Sequence, residues 1–192
     1  MFTIGAPKYV NFASAGFVIG HELTHGYDDQ GSRFDHEGNL RPWWSEGTEI
    51  RFSSKTQCFV YQYGNITEPE SGQKLNGLLT LGENIADNGA IRMAYSAYQL
   101  WLSSSLGSNG EPEKLLPGLT GYTIGQLFFM AFANSWCEII RPSGAEVLLI
   151  GDEHSMSRYR VNVPLQNFPV FAETFGCPSG SAMNPSLKCK IW

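Results

Sequence analysis

What the chain lacks narrows its role before any motif is considered. No stretch approaches the roughly 18 consecutive apolar residues that span a membrane; the longest apolar runs are Leu127 to Ala133 and Val147 to Ile150. This segment is therefore expected to make no membrane contact. No run of Lys or Arg is long enough to track phosphates, and the formal net charge is -5, which argues against nucleic acid as a partner. Residues Met1 to Val10 contain Pro7 and Lys8. They lack the basic start and apolar core of a signal peptide. Cysteine is sparse: Cys58, Cys137, Cys177 and Cys189 lie far apart, in neither a CxxC nor a zinc-ribbon pattern. Disulfides or buried thiols are the remaining choices. Internal repeats and low-complexity tracts are missing too.

What is present fits a folded chain. The 192 residues are 42% hydrophobic, 16% charged and 13% aromatic, which suits one domain with large rings in its core. A sequon, Asn65-Ile66-Thr67, carries no Pro at its middle position. With an even cysteine count it points to an extracellular or lumenal setting, with Asn65 as the glycosylation candidate.

Apolar spacing predicts a mainly helical fold with minor β, at most a short strand pair. The clearest helix runs from Phe12 to Gly26, with Phe12, Ala15, Ile19 and Leu23 inward. Residues 28–45 read as turns closing on Trp43-Trp44, a pair assigned to the core. A helix from Glu46 to Tyr63 should turn Phe52, Phe59 and Val60 inward. Loop residues 64–77 precede a helix from Thr80 to Leu102, whose buried stripe should be Ile85, Gly89, Met93 and Ala97. A loop at 103–121 leads to an apolar helix from Ile124 to Cys137. After Arg141-Pro142 the pattern is mixed, with a last helical stretch from Val170 to Phe175.

His21-Glu22-Leu23-Thr24-His25 is an HExxH sequence. On a helix, residues four apart share a face, so both imidazoles can point at one ion while Glu22 sits one step round. A catalytic zinc needs a third protein ligand and an open position for water. Glu83-Asn84-Ile85-Ala86-Asp87 offers two carboxylates on one helical face. One can bind metal while the other receives an N–H from a ligating imidazole.

These residues stand in longer matching segments. HELTHGYDDQG, followed 58 residues after His25 by Glu83 in GENIADNGA, resembles the neprilysin and endothelin-converting-enzyme family of zinc metallopeptidases. The likeness continues through Arg41-Pro42-Trp43-Trp44, Gln57-Cys58, Tyr61-Gln62-Tyr63-Gly64, Leu116-Pro117-Gly118-Leu119, Gln126-Leu127-Phe128-Phe129, Met183-Asn184-Pro185 and Cys189-Lys190-Ile191-Trp192.

The resemblance implies a thermolysin-like zincin (gluzincin) catalytic subdomain that binds one zinc ion through His21, His25 and Glu83. Glu22 would be the base, Asp87 the carboxylate behind an imidazole, and Asp28 a weaker candidate to support His25. In Asp152-Glu153-His154, His154 would stabilise the tetrahedral oxyanion; Arg160 would hold a substrate carbonyl. Phe17, Val18, Ser135 and Trp136 fall where the walls of a hydrophobic pocket are expected. His36 matches nothing functional and reads as surface. The implied reaction is hydrolysis of peptide bonds on the amino side of hydrophobic residues. The resemblance also implies a Cys58–Cys189 bridge, with Cys137 and Cys177 left unpaired.

Relatives in that family are several times longer, with a cytoplasmic tail, a membrane anchor and a large helical domain. Residues 1–192 are accordingly expected to be the C-terminal catalytic portion, without the N-terminal domain or the upstream substrate-binding strand. The parent would be a single-pass membrane ectoenzyme or a secreted enzyme. The alternative is a truncated zinc-binding module that acts as a binding or decoy protein.

Overall fold

The computed structural model describes residues 2–104, 113 and 115–191. Of the expected loop at 103–121, residues 105–112 and 114 lie outside that set.

The first rod begins after Pro7 with α1 (Lys8–Asn11), passes through a π-helical turn (Phe12–Gly16) and continues as α2 (Phe17–His25). A π turn inserts an extra residue and rotates everything downstream. The predicted inward stripe fails for this reason: Ile19 and Leu23 are each 62% exposed. The buried face is instead Ala13, Phe17, Gly20, His21 and Thr24.

A turn-rich segment with a short 3₁₀ helix (Gly31–Arg33) leads to α3 (Glu46–Gly64), whose N-cap Ser45 accepts from Thr48 N. Phe59 is buried, but Phe52 and Val60 are only partly so. The Trp pair is not core: Trp43 is 44% exposed and Trp44 half-buried. With Arg33, Arg41 and Thr56 they wall an open hollow of about 500 Å³. The Trp43 indole N–H is satisfied at the surface by Ser32 O at 2.8 Å, so burial is not needed to partner it.

Helix α4 (Leu81–Ser103) is the axis of the fold, packing against α2, α3 and α7. Every residue from Asn84 to Ile91 is buried. Beyond it the predicted stripe breaks, with Met93 40% exposed and Ala97 exposed, and the buried line runs through Ile91, Ala94 and Tyr98. Neighbours surround the first half of α4 but cover only one side of the second.

Helix α5 (Ile124–Asn134) opens with a Thr123–Gln126 capping box and stops three residues before Cys137. Three helices follow where one was expected: α6 (Pro142–Gly151), α7 (Ser157–Gln166) and α8 (Pro169–Phe175). Helix α7 holds Pro164 inside it, which masks it in sequence because an interior proline normally ends a helix. No strand occurs among the described residues. The minor β content reduces to two isolated bridges, Phe34 with Leu40 and Thr67 with Lys74.

Two apolar clusters flank α4. One gathers Tyr9, Phe17, Ile91, Tyr98, Phe128, Phe129 and Phe132. The other gathers Phe59, Tyr63, Leu81, Ile85, Tyr159, Val163 and Cys189, and is tied by the Cys58–Cys189 disulfide. Cys137 (exposed) and Cys177 (half-buried) are free thiols. Along α4, Asp87 and Asn88 fall between the residues of the two clusters, and there the candidate site forms.

Candidate metal centre

Helices α2 and α4 approach unusually closely because small residues line their contact. A Cβ on Gly20 would meet Ala90 Cα at 3.2 Å, and one on Gly89 would meet Thr24 Oγ1 at 2.7 Å. That approach brings His21 and His25 against Glu83. The two Nε2 atoms are 3.0 Å apart. Glu83 Oε2 lies 3.1 Å from His21 Nε2, and Glu83 Oε1 lies 3.4 Å from His25 Nε2. All three donors fall within 4.8 Å of one another, a group that could hold a metal ion.

Each imidazole has a carboxylate at its other nitrogen. Asp28 Oδ2 sits 2.6 Å from His25 Nδ1, while its Oδ1 accepts from Gln30 N and Gly31 N at 2.8 and 2.7 Å. The turn needs Gly31, since a Cβ there would lie 1.8 Å from His25 O. Asp87 Oδ1 lies 2.9 Å from His21 Nδ1, close enough for charge attraction although the N–H is not aimed along the contact. Two further bonds of 2.9 Å, from Arg160 Nε and Nη2, complete the Asp87 carboxylate. The guanidinium also reaches Glu83 Oε2 at 3.3 Å and stacks 4.4 Å from the Trp136 ring centroid.

The charges are coupled. Burial alone would depress the His21 pKa, but the carboxylates of Asp87 and Glu83 outweigh it and lift the value to about 9. Burial likewise opposes ionisation of Glu83, yet His21, His154 and His25 hold its carboxyl below the ordinary range. The pocket therefore favours positive charge at its centre, which fits a cation between the three donors.

The loop between α6 and α7 carries His154, whose Nε2 is 3.3 Å from Glu83 Oε2. Asp152 Oδ1 accepts from the His154 backbone N–H at 2.8 Å and lies 2.9 Å from its ring Nδ1. Those contacts, the backbone bond foremost, lower the Asp152 pKa. The metal motif does not single out Asp152; its place two residues before a histidine is the signal of an orienting role.

The structure thus gathers His21, His25, Glu83, Asp87, Asp28, His154 and Arg160. Glu22 is exposed on α2 beside them, and His36 is exposed elsewhere. Phe17, 2% exposed, is core rather than wall: its ring packs 4.7 Å from Phe132 and 5.9 Å from Trp136. Val18 and Trp136 are half-buried and Ser135 is exposed. Asn65 is exposed just past α3.

The chain is 47% identical to neprilysin-21 of Caenorhabditis elegans over 190 residues, 99% of the chain and 24% of that protein. It is 48% identical to human endothelin-converting enzyme 1 over 191 residues, 100% of the chain and 24% of that enzyme. It therefore spans about a quarter of the length of these relatives. The crystal structure of the Mycobacterium tuberculosis zinc metalloprotease Zmp1 in complex with an inhibitor superposes with a TM-score of 0.88 at 33% identity, covering 100% of this chain and 29% of that one. With its sequence matching the profile of Peptidase family M13 over residues 1–191, the chain belongs to that family.

Proposed function

We propose that this chain is the catalytic portion of a zinc metalloendopeptidase that cleaves oligopeptides on the amino side of hydrophobic residues. The observation that carries the reading is the convergence of His21, His25 and Glu83 within 4.8 Å, with Asp28 and Asp87 behind the two imidazoles. Two nitrogens and one oxygen make three protein donors, the number that catalytic rather than structural zinc sites use. When bound, zinc would supply the Lewis acidity that lowers the pKa of water and polarises the scissile carbonyl.

The chain's own groups do the rest. Glu22 takes the proton of the attacking water and passes it to the leaving amine. His154, with Asp152 holding Nδ1, presents Nε2 towards the oxygen that becomes negative in the tetrahedral state. Arg160, its Nε and Nη2 engaged by Asp87 and Glu83, keeps Nη1 for a substrate carbonyl. Val18 and Trp136 over Phe17 supply apolar surface for the side chain following the cut bond.

The Cys58–Cys189 disulfide and the exposed sequon at Asn65 support an extracellular or lumenal setting, in a parent that is membrane-anchored or secreted. None of the described helices is long and apolar enough to cross a membrane. A second reading, zinc binding without turnover by these residues alone, is favoured by the exposed apolar Ile19 and Leu23 on either side of Glu22. Among the described residues, no wall covers Ile19 and Leu23 to align a peptide along that face.

Glu22→Gln tests the reading. Zinc content should hold while turnover of a fluorogenic peptide falls by about 10²–10⁴. Full turnover in the variant would overturn Glu22 as base. A zinc-loaded wild type without turnover would favour the second reading.

A further inference from the structure

The residues that follow Glu83 and His154 are joined to each other. Ser155 Oγ donates to Asn84 Oδ1 at 2.8 Å, and the two are only 6% and 0% exposed. One step back along each backbone, His154 Nε2 faces Glu83 Oε2 at 3.3 Å. We infer that Asn84 and Ser155 are positioning residues, a buried clamp that sets the distance of His154 from the metal-binding carboxylate. The inference rests on the proposed role of His154 and adds the device that holds it there.

The Asn84 amide has one workable orientation. Its Nδ2 donates to Thr80 Oγ1 at 2.8 Å, and the Thr80 hydroxyl spends its own proton on Asn76 O at 3.1 Å. Thr80 Oγ1 can therefore only accept, so the amide nitrogen must face it and the amide oxygen must face Ser155. The Asn84 backbone is pinned as well: its N donates to Thr80 O at 2.9 Å, and its O accepts from Asn88 Nδ2 at 2.8 Å. One side of the clamp is thus rigid with α4.

The other side is a loop whose hydrogen bonds otherwise run away from α4. Asp152 binds His154 locally, and Ser157 N is tied to Glu138 Oε1 at 3.0 Å, not to α4. Among the described residues, the Ser155 bond is the hydrogen bond that fastens the segment 152–156 to the helix bearing Glu83; beside it stand the His154–Glu83 contact itself and Met156, buried in the apolar cluster of Leu81 and Ile85. Burial of the Ser155 bond matters: with no water to substitute, losing the hydroxyl leaves Asn84 Oδ1 without a partner.

Ser155→Ala removes the donor with little change of volume. In histidine-labelled protein, metal-free and zinc-loaded, the ring NMR signals of His154 should shift or broaden. Those of His21, His25 and His36 should hold. In the peptidase assay, kcat should fall by about 10- to 100-fold with KM unchanged, the scale expected when a catalytic group is misplaced by about an ångström. Made on top of His154→Ala, the same change should cost less than about twofold, because the clamp acts only through that ring. If Ser155→Ala unfolds the protein, Thr80→Val tests the clamp from its other end and should move the His154 signals alone.

Unmoved His154 signals in a folded variant would overturn the inference, as would an undiminished penalty in the His154→Ala background. A wild type that cleaves nothing would defeat the peptidase reading yet leave the NMR result to decide this one.

Discussion

Two carboxylates stand behind the two imidazoles, and they are built on different scales. Asp28 reaches His25 from three residues away, within one turn that Gly31 and two backbone N–H groups close. Asp87 reaches His21 from another helix and is itself held by a buried Arg160. The local pair needs only a turn to form. The distant pair needs the tertiary structure, because it exists only while α2 and α4 stay close. The difference predicts that the Asp87 half is costly to break and tied to stability, whereas the Asp28 half tunes the metal with little effect on folding.

The largest effect should come from Asp87→Ala. It strands Arg160 and His21 in a buried place, and removing one partner of such a group typically costs about 3–5 kcal/mol. Zinc affinity should fall by about 10–100-fold as well. Urea unfolding of the metal-free protein and a zinc titration measure the two losses; a variant as stable as wild type would erase the contrast.

Next in size is Gly89→Ala. The new methyl would meet Thr24 Oγ1 at 2.7 Å and Cγ2 at 2.8 Å, so the helices must part at a cost of about 1–3 kcal/mol. Zinc affinity should drop with it, although no ligand has been touched. Thr24→Ala in the same chain should restore both, and failure of that rescue would show that the helix spacing is not what Gly89 sets.

Asp28→Asn sharpens the other half. The amide oxygen can still accept from Gln30 N and Gly31 N, so the turn and the unfolding midpoint should survive. The amide cannot take the His25 Nδ1 proton as a carboxylate does, and zinc affinity should fall by about tenfold. A stability loss as large as that of Asp87→Ala would contradict the local character of this pair.

The smallest effect concerns acid. Bonds from Asn39 N first, then Glu37 N and Arg41, hold the Asp35 pKa down to about 2 from 3.8. A depressed folded pKa means the contribution is complete above about 4 and is lost as pH falls through about 2. The segment carrying Trp43 should loosen over that window, and tryptophan emission can follow it. Asp35→Asn should remove this step; an unchanged transition would assign it to another group.

The same division by scale explains what could be read beforehand. The HExxH pair and the carboxylate pair on α4 were legible because i,i+4 spacing fixes a shared helical face. Spacing alone does not identify the third ligand, since Glu83 and Asp87 are equivalent by it; only the family resemblance singles out Glu83. Helices α3 and α5 are legible from their apolar residues, but α7 is hidden by Pro164 and by its alternation of polar and apolar residues. The buried face of α2 is not legible in hydrophobic periodicity, in which a π turn leaves no mark.

By itself the sequence determined a mainly helical chain, the metal-binding motif on one of its helices, and a set of segments shared with a peptidase family. Each of these depends on residues within a turn or two of one another. Only the tertiary structure decided that Glu83 faces the histidines while Asp87 turns to Arg160, that Asp152 holds the His154 ring, and that Trp43 stays at the surface. Those outcomes depend on how closely two helices approach. That distance is set by the absence of a Cβ at Gly20 and Gly89 against partners 70 and 65 residues away, a steric fact that no local pattern records.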